Sequence, residues 1–182
     1  VEWVALRQIS LGKVTFTNSN NAAIATEYNV DYSIPSGQKI GVATSYTAGT
    51  AGKPLSVDIP KALKIGKSVG ANYKFMFMNP DTFLKFASQE EVVKKCATLV
   101  ENMTGAADAP DLQTVNAYLA KKKEQFKGLQ IIVIDQDITI ETADGDRATS
   151  NPFEDDVILF SESKVLGTTY WKRPIDANKI AG

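Results

Sequence analysis

The chain has 182 residues, 43% hydrophobic and 23% charged, enough apolar side chain to bury a core in one domain or two small ones and too much for a disordered chain. Its net charge of −1 gives no field of one sign to draw in nucleic acid or an anionic membrane. Histidine is absent and Cys96 is the single cysteine, which excludes serine–histidine triads, most catalytic zinc sites and any intramolecular disulfide.

The sequence contains no signal peptide and no membrane-spanning run, and it starts at Val1 without a methionine, so it is expected to be part of something longer. Residues 1–11 place Trp3, Leu6 and, more loosely, Ser10 at helical spacing, and Gly12 stands where a helix would stop. Residues 13–17 alternate polar and apolar, 18–21 supply turn residues, and 24–34 alternate again through Tyr28, Val30 and Tyr32, which predicts a hairpin-like pair of strands. Residues 35–54 are rich in Gly, Ser, Thr and Ala and read as an extended connection. Within it, Ser36-Gly37-Gln38-Lys39 lacks the later Gly-Lys-Ser/Thr at a helix start that a phosphate-binding loop requires.

Helical periodicity returns over residues 55–69, with Ile59, Leu63 and Ile65 or Gly66 inward and Lys61, Lys64 and Lys67 outward; Pro60 lies in the first turn, where it is tolerated. The three lysines have the spacing of a solvated helix face and no interleaved aromatics, so they do not read as a nucleic-acid patch. Residues 73–78 form a short aromatic and sulfur-bearing run, predicted to be a buried strand. Asn79-Pro80-Asp81 then opens a short helix through Phe86: Asn79 caps it, Pro80 suits its first position and Asp81 complements its dipole. Ser88 and Glu91 have the spacing of a capping box for a second helix, with Val92, Cys96, Leu99, Val100 and Met103 on one face. Cys96 on that apolar face reads as a core thiol.

Residues 103–110 read as a loop, and Asn102-Met103-Thr104 is a formal glycosylation sequon that matters only in a secreted eukaryotic protein. Residues 111–127 are predicted to be one helix, with Leu112, Val115, Leu119 and Phe126 on one side and Gly128 ending it. Leu-Gln-Ile-Ile-Val-Ile at 129–134 reads as a strand buried on both faces of a sheet, so helix, strand and the earlier strand predict a small mixed sheet flanked by helices. A strand at 138–142, the turn Ala143-Asp144-Gly145-Asp146 and a polar loop to Pro152 follow. The acidic turn lacks the ligand spacing of a calcium loop, and Asp-Gly is a hairpin signal. Residues 157–160 are predicted to be a further strand, and 166–171 a last extended element.

A helix end running into Gly12-Lys13-Val-Thr-Phe-Thr17 is followed by a helix leading to Phe75–Met78 and Asn79-Pro80-Asp81. Phe83, Phe86, the helix at 92–100 and the helix with Leu119 that closes on Lys127-Gly128 come next. Gln130-Ile-Ile-Val-Ile134, Asn151-Pro152-Phe153, Val157-Ile-Leu-Phe160 and Leu166-Gly-Thr-Thr-Tyr170 complete the series. In its order this series resembles the C-terminal part of the major capsid protein of tailed bacteriophages, with the Hong Kong phage-type capsid fold, in the branch of the lambda-type capsid protein E. The resemblance covers nearly the whole chain and lies in the order of short pieces. The chain departs from the family at 42–54, where Val42-Ala-Thr-Ser-Tyr46 and a glycine-rich run replace a segment that often carries a tryptophan and acidic residues.

The resemblance implies an α+β phage major-capsid-protein fold: a mixed sheet flanked by helices, the axial domain, plus part of a β-rich peripheral domain. Residues 1–40 would be the end of the spine helix and peripheral strands, 41–54 a linker, 55–161 the axial-type domain and 162–182 a return to the peripheral domain. The implied function is that of a structural subunit of a phage or prophage icosahedral capsid, self-assembling around the viral genome, with no catalytic, cofactor-binding or metal residues. Its partners would be copies of itself in hexameric and pentameric capsomers, with scaffold, portal and decoration proteins, and neither sequence-specific nucleic acid nor a membrane. Its place would be the virion capsid, reached from the host bacterial cytoplasm during assembly. The family's extended loop and N-terminal arm precede the spine helix, so this chain alone is expected to be a monomer or small oligomer and to build no closed shell.

Two other readings stay open. One is another phage structural or adhesive module, such as a tail protein. The other is an enzyme, for which Asp135, Asp137, Asp144, Asp146 and Glu154 are the available carboxylates, although aspartates at strand ends and turns are usual for structural reasons.

Overall fold

The computed structural model describes residues 2–16, 28–47, 49–97, 109–141 and 145–168. Helix α1 (Glu2–Leu11) ends as expected at Gly12, whose N–H returns to Gln8 O at 2.8 Å. Gly12 has φ 74°, so the turn favours glycine, and a Cβ on it would lie 2.7 Å from Ile34 Cδ1 and push that side-chain end aside. Strands β1 (Lys13–Phe16) and β2 (Tyr28–Asp31) then pair antiparallel, Lys13 opposite Asp31. The turn expected at 18–21 lies outside the described residues.

A 3₁₀ turn (Ser36–Gln38) and a π-helical turn (Pro54–Asp58) punctuate the connection, and the second runs directly into α2 (Ile59–Ser68). Pro60 lies just beyond the wide turn. With the ladder widened, Ile59 N–H bonds Pro54 O, and the next donor, due to meet Leu55 O, is missing because proline has no N–H. Gln125 fills the gap, its side-chain amide donating to Leu55 O at 3.3 Å. Helix α2 buries Ile59, Ala62, Leu63 and Gly66 and turns Lys61, Lys64 and Lys67 to solvent, as their spacing predicts.

Strand β3 (Phe75–Met78) feeds α3 (Pro80–Ala87), whose cap forms as expected: Asn79 Oδ1 accepts Thr82 N–H at 2.8 Å. Helix α4 (Glu90–Ala97) follows, without the expected capping box. Ser88 closes α3 with helical dihedrals, φ −73° and ψ −6°, and donates its hydroxyl to Leu84 O, whereas an N-cap residue must leave the helical region. Glu91 reaches elsewhere, to Leu55 N–H at 2.9 Å and Ser56 N–H at 3.2 Å. On α4 Val92 and Cys96 are buried; Leu99, Val100, Met103 and the Asn102 sequon lie outside the described residues.

The single helix expected at 111–127 is instead α5 (Leu112–Lys121), capped by Asp111, and α6 (Lys123–Phe126). The chain breaks at Lys122 (φ −97°, ψ 43°), and Lys127 takes a left-handed conformation ahead of Gly128. Burial decides this: the re-aimed turn puts Phe126 and Leu129 into the core, both at most 2% exposed. Strand β4 (Gln130–Val133) comes next, then β5 (Ile138–Glu141), β6 (Arg147–Ser150) and β7 (Leu159–Ser161).

The strands β4-β3-β7 form one mixed sheet, with β3 parallel to β4 and antiparallel to β7. Met76, Met78 and Ile131 on one face, with half-buried Val133 and Phe160, pack against Leu55, Phe86, Val92, Val115, Leu119 and Phe126 from the helical layer. The described residues thus form the α+β arrangement expected, a small mixed sheet flanked by helices. One expectation needs correction. The run at 129–134 is not buried on both faces, because β4 is an edge strand: Ile131 is 1% exposed but Ile132 only half-buried. The strand buried on both faces is β3, in which Met76, Phe77 and Met78 are all buried.

The polar loop expected after the acidic turn is also corrected. Arg147–Ser150 is strand β6, paired antiparallel with β5 in a hairpin, Ile138 opposite Ser150. Alternating residues with no apolar face gave it the look of a loop, and cross-strand bonding made it a strand. The strand expected at 157–160 is shifted to β7; residues 166–168 form no strand, and the rest of that expected element lies outside the described residues.

Candidate interaction surface

Beside the β7 edge of the sheet lies an open trough of about 990 Å³. Ile9 and Leu11 of α1, Ile34, Ile65 of α2 and Val69 just after it give it apolar walls, and Leu159 to Glu162 run along it. A smaller hollow of about 200 Å³ adjoins it and reaches Met76 and Phe86 of the core. The two share polar Gln38 and Asp156 as well as Ile40, Gly41, Ala62, Ile158 and Phe160. Leu11 (41% exposed) and Val69 (53%) line the trough, and Val42 (42%) lines the hollow. These exposed apolar side chains make the trough the candidate interaction surface.

Buried polar groups hold the walls. The described residues of 41–52 are pinned by Asp58 and Gln89, and the turn after them by Glu91. Asp58 accepts from Tyr46 Oη at 2.7 Å and from Ala43 N–H at 3.1 Å. Burial, and then the Asp58 carboxylate, push the Tyr46 phenol far above its ordinary range, so it stays a donor. Gln89, 1% exposed, accepts Gly52 N–H at 2.8 Å and donates to the carbonyls of Lys85, Gly49 and Tyr46. Glu91 holds the start of the π-helical turn and pairs with Lys95 at 2.6 Å. Burial would raise the Glu91 carboxyl, but Lys95 and Ser56 outweigh it and hold the group below its usual range.

The loop leading to β7 is fastened in the same way. Asn79 Nδ2 donates to Phe153 O and to Asp155, Thr82 Oγ1 accepts Asp156 N–H at 2.9 Å, and Lys85 pairs with Asp156 at 2.8 Å. Helix α1 joins through Ser10 Oγ, which accepts Glu154 N–H at 3.1 Å, and through the Arg7–Glu154 ion pair. This explains the weak apolar match of Ser10 to its helix: the side chain is buried against the 151–156 loop as a polar fastener.

Among the described residues, the carboxylates named for an enzyme reading are not gathered. Asp135 and Asp137 are exposed between β4 and β5, Asp146 is exposed beside β6, Glu154 serves Arg7, and Asp144 lies outside the described residues. Among the described residues no three His, Cys, Asp or Glu side chains cluster as metal ligands would. Cys96 is buried, and burial pushes its thiol up to about 11, far from a reactive thiolate. The Ser36–Gln38 turn, set aside as a phosphate loop, brings Gln38 to the trough wall. No helix among the described residues is long and apolar enough to cross a membrane.

Sequence reasoning did not find the trough, because its walls come from segments up to about 150 positions apart, Ile9 and Phe160 among them. Nor did it find Gln89, which follows a predicted helix end and carries no local signal of burial. Compared with protein-family models and with curated proteins, the chain matches none.

Proposed function

We propose that the chain is a structural subunit of a phage or prophage icosahedral capsid, acting by association with copies of itself and carrying no catalytic site. The observation that supports this most is the surface: an open apolar trough alongside an edge strand suits the flank of a neighbouring subunit better than it suits a small substrate. Substrate pockets bring convergent polar groups to an enclosed volume, whereas the trough is open and Tyr46, Asp58 and Thr82 of the adjoining hollow are engaged in holding its walls. The order of elements supports it too. A helix ends at Gly12 ahead of a hairpin, a helix leads to β3 and the Asn79 cap, and a second helix leads to β4 in the same sheet, in the sequence order of the capsid proteins that the chain resembles.

In this reading the partners are other copies in hexameric and pentameric capsomers, with scaffold, portal and decoration proteins, and the location is the virion shell after assembly in the bacterial cytoplasm. The subunit confines the genome and reads no sequence in it, and a net charge of −1 offers no strong grip on phosphate. Immunogold electron microscopy of particles from the organism that encodes the chain tests the reading. Label over icosahedral heads is the expected result. Label confined to tails would favour a tail or adhesive module, and particles without label would remove the proposal.

A further inference from the structure

The two edges of the mixed sheet are treated differently. At β4, Asn116 of α5 occupies the edge: its amide donates to Ile131 O at 3.0 Å and its oxygen accepts Ile131 N–H at 2.7 Å. At β7 no described residue pairs with the outer edge, and the trough runs along it. A second unpaired edge is on β6, whose four residues are all exposed and which pairs with β5 alone among the described residues. A two-stranded hairpin has little stability of its own, and an open strand edge is a template for another strand.

We propose that β6 of one copy adds as the next antiparallel strand to β7 of a second copy, giving a continuous five-stranded sheet across the contact. This rests on the assembly reading above and names its contact. Charge and side-chain alternation select one register. With Arg147 opposite Glu162, Ala148 meets Ser161, Thr149 meets Phe160 and Ser150 meets Leu159. That register sets a cation against an anion at the end of the strand. It also puts Ala148 and Ser150, with Ile138 of β5 opposite Ser150, on the sheet side that carries Phe75, Phe77 and Leu159. A shift by one residue would turn Ile138 to the opposite side. The contact joins different surfaces of the two copies, so it repeats head to tail and closes into a ring when the rotation allows.

Two variants of the full chain that each add one cysteine to a Cys96→Ser background, Ala148→Cys and Ser161→Cys, test it when mixed and oxidised. Directly opposed antiparallel residues lie about 4.5–5.5 Å apart at Cα, within disulfide reach, so a crosslinked heterodimer is expected. Ser150→Cys mixed with Ser161→Cys is the control, since that diagonal is about 7–8 Å and should crosslink far less. Sedimentation then reads the charges. Arg147→Glu or Glu162→Arg alone should weaken association by about tenfold, like charges being brought together, and the double variant should restore it. Oligomers that crosslink no better at 148–161 than at 150–161, with no rescue in the double variant, would overturn this contact and leave the capsid reading standing. Absence of any association or crosslink would overturn it as well, and the immunogold labelling of heads would still judge the capsid reading independently.

Discussion

Asn116 and Ile131 are joined by two hydrogen bonds, the side-chain amide of one replacing a strand for the backbone of the other, at 3.0 and 2.7 Å. The pairing satisfies a half-buried edge that would otherwise present a free N–H and C=O. Asn116→Ala should therefore cost about 1–3 kcal/mol, the price of leaving such groups unmet. Urea unfolding would measure it, and a loss below about 0.5 kcal/mol, within the range of an ordinary surface change, would show that water replaces the amide freely.

Gln89 should prove the fastening point of the 46–52 segment. Gln89→Ala removes the acceptor of Gly52 N–H and the donor to three carbonyls, so hydrogen exchange at the Gly52 amide should quicken by orders of magnitude. Gly52→Ala should disturb the same place by crowding, since a Cβ there would lie 2.6 Å from Gln89 Oε1 and 2.8 Å from the Tyr46 ring. About 1–3 kcal/mol is the expected cost of that overpacking. Unchanged exchange at Gly52 in Gln89→Ala would contradict the assignment.

Neighbouring isoleucines of β4 should respond in opposite ways to a charge. Ile131→Asp places a carboxylate in the core and should abolish cooperative folding, whereas Ile132→Asp, on the half-buried face of an edge strand, should leave a folded chain. Near-ultraviolet circular dichroism and thermal melts distinguish the two. Equal damage at both positions would mean that β4 is buried on both sides.

Glu91 gives a pH signature. Its folded value lies below the ordinary value of 4.5, so its stabilisation is present above that range and lost as pH falls through the folded value. Wild type should melt above Glu91→Gln at pH 7, and the gap should close as the pH is lowered through the acidic range. A gap of the same size at both ends would assign the effect to packing and remove the charge from it.

Cys96 should be inert in the folded chain. With the thiol pushed up to about 11 and buried, an aromatic disulfide reagent at pH 8 should leave it unmodified until guanidinium unfolds the protein. Rapid native modification would place Cys96 at an accessible site.

Much of the fold was determined by local sequence. Asn79 and Asp111 start helices because their side chains accept N–H groups of the first turn, Pro80 because it has no N–H to leave unmet, and Gly12 stops one because only glycine takes that turn freely. These are short-range effects, decided within a few residues. Tertiary structure decided what local chemistry leaves equal. The run at 129–134 is apolar enough for any strand position, and the order β4-β3-β7 made it an edge and β3 the centre. Ser88 and Glu91 had the spacing of a capping box, but the distant N–H groups of Leu55 and Ser56 took the carboxylate. The trough is tertiary throughout, because its walls meet only after α1, α2 and β7 are brought together, and no spacing along the chain encodes that meeting.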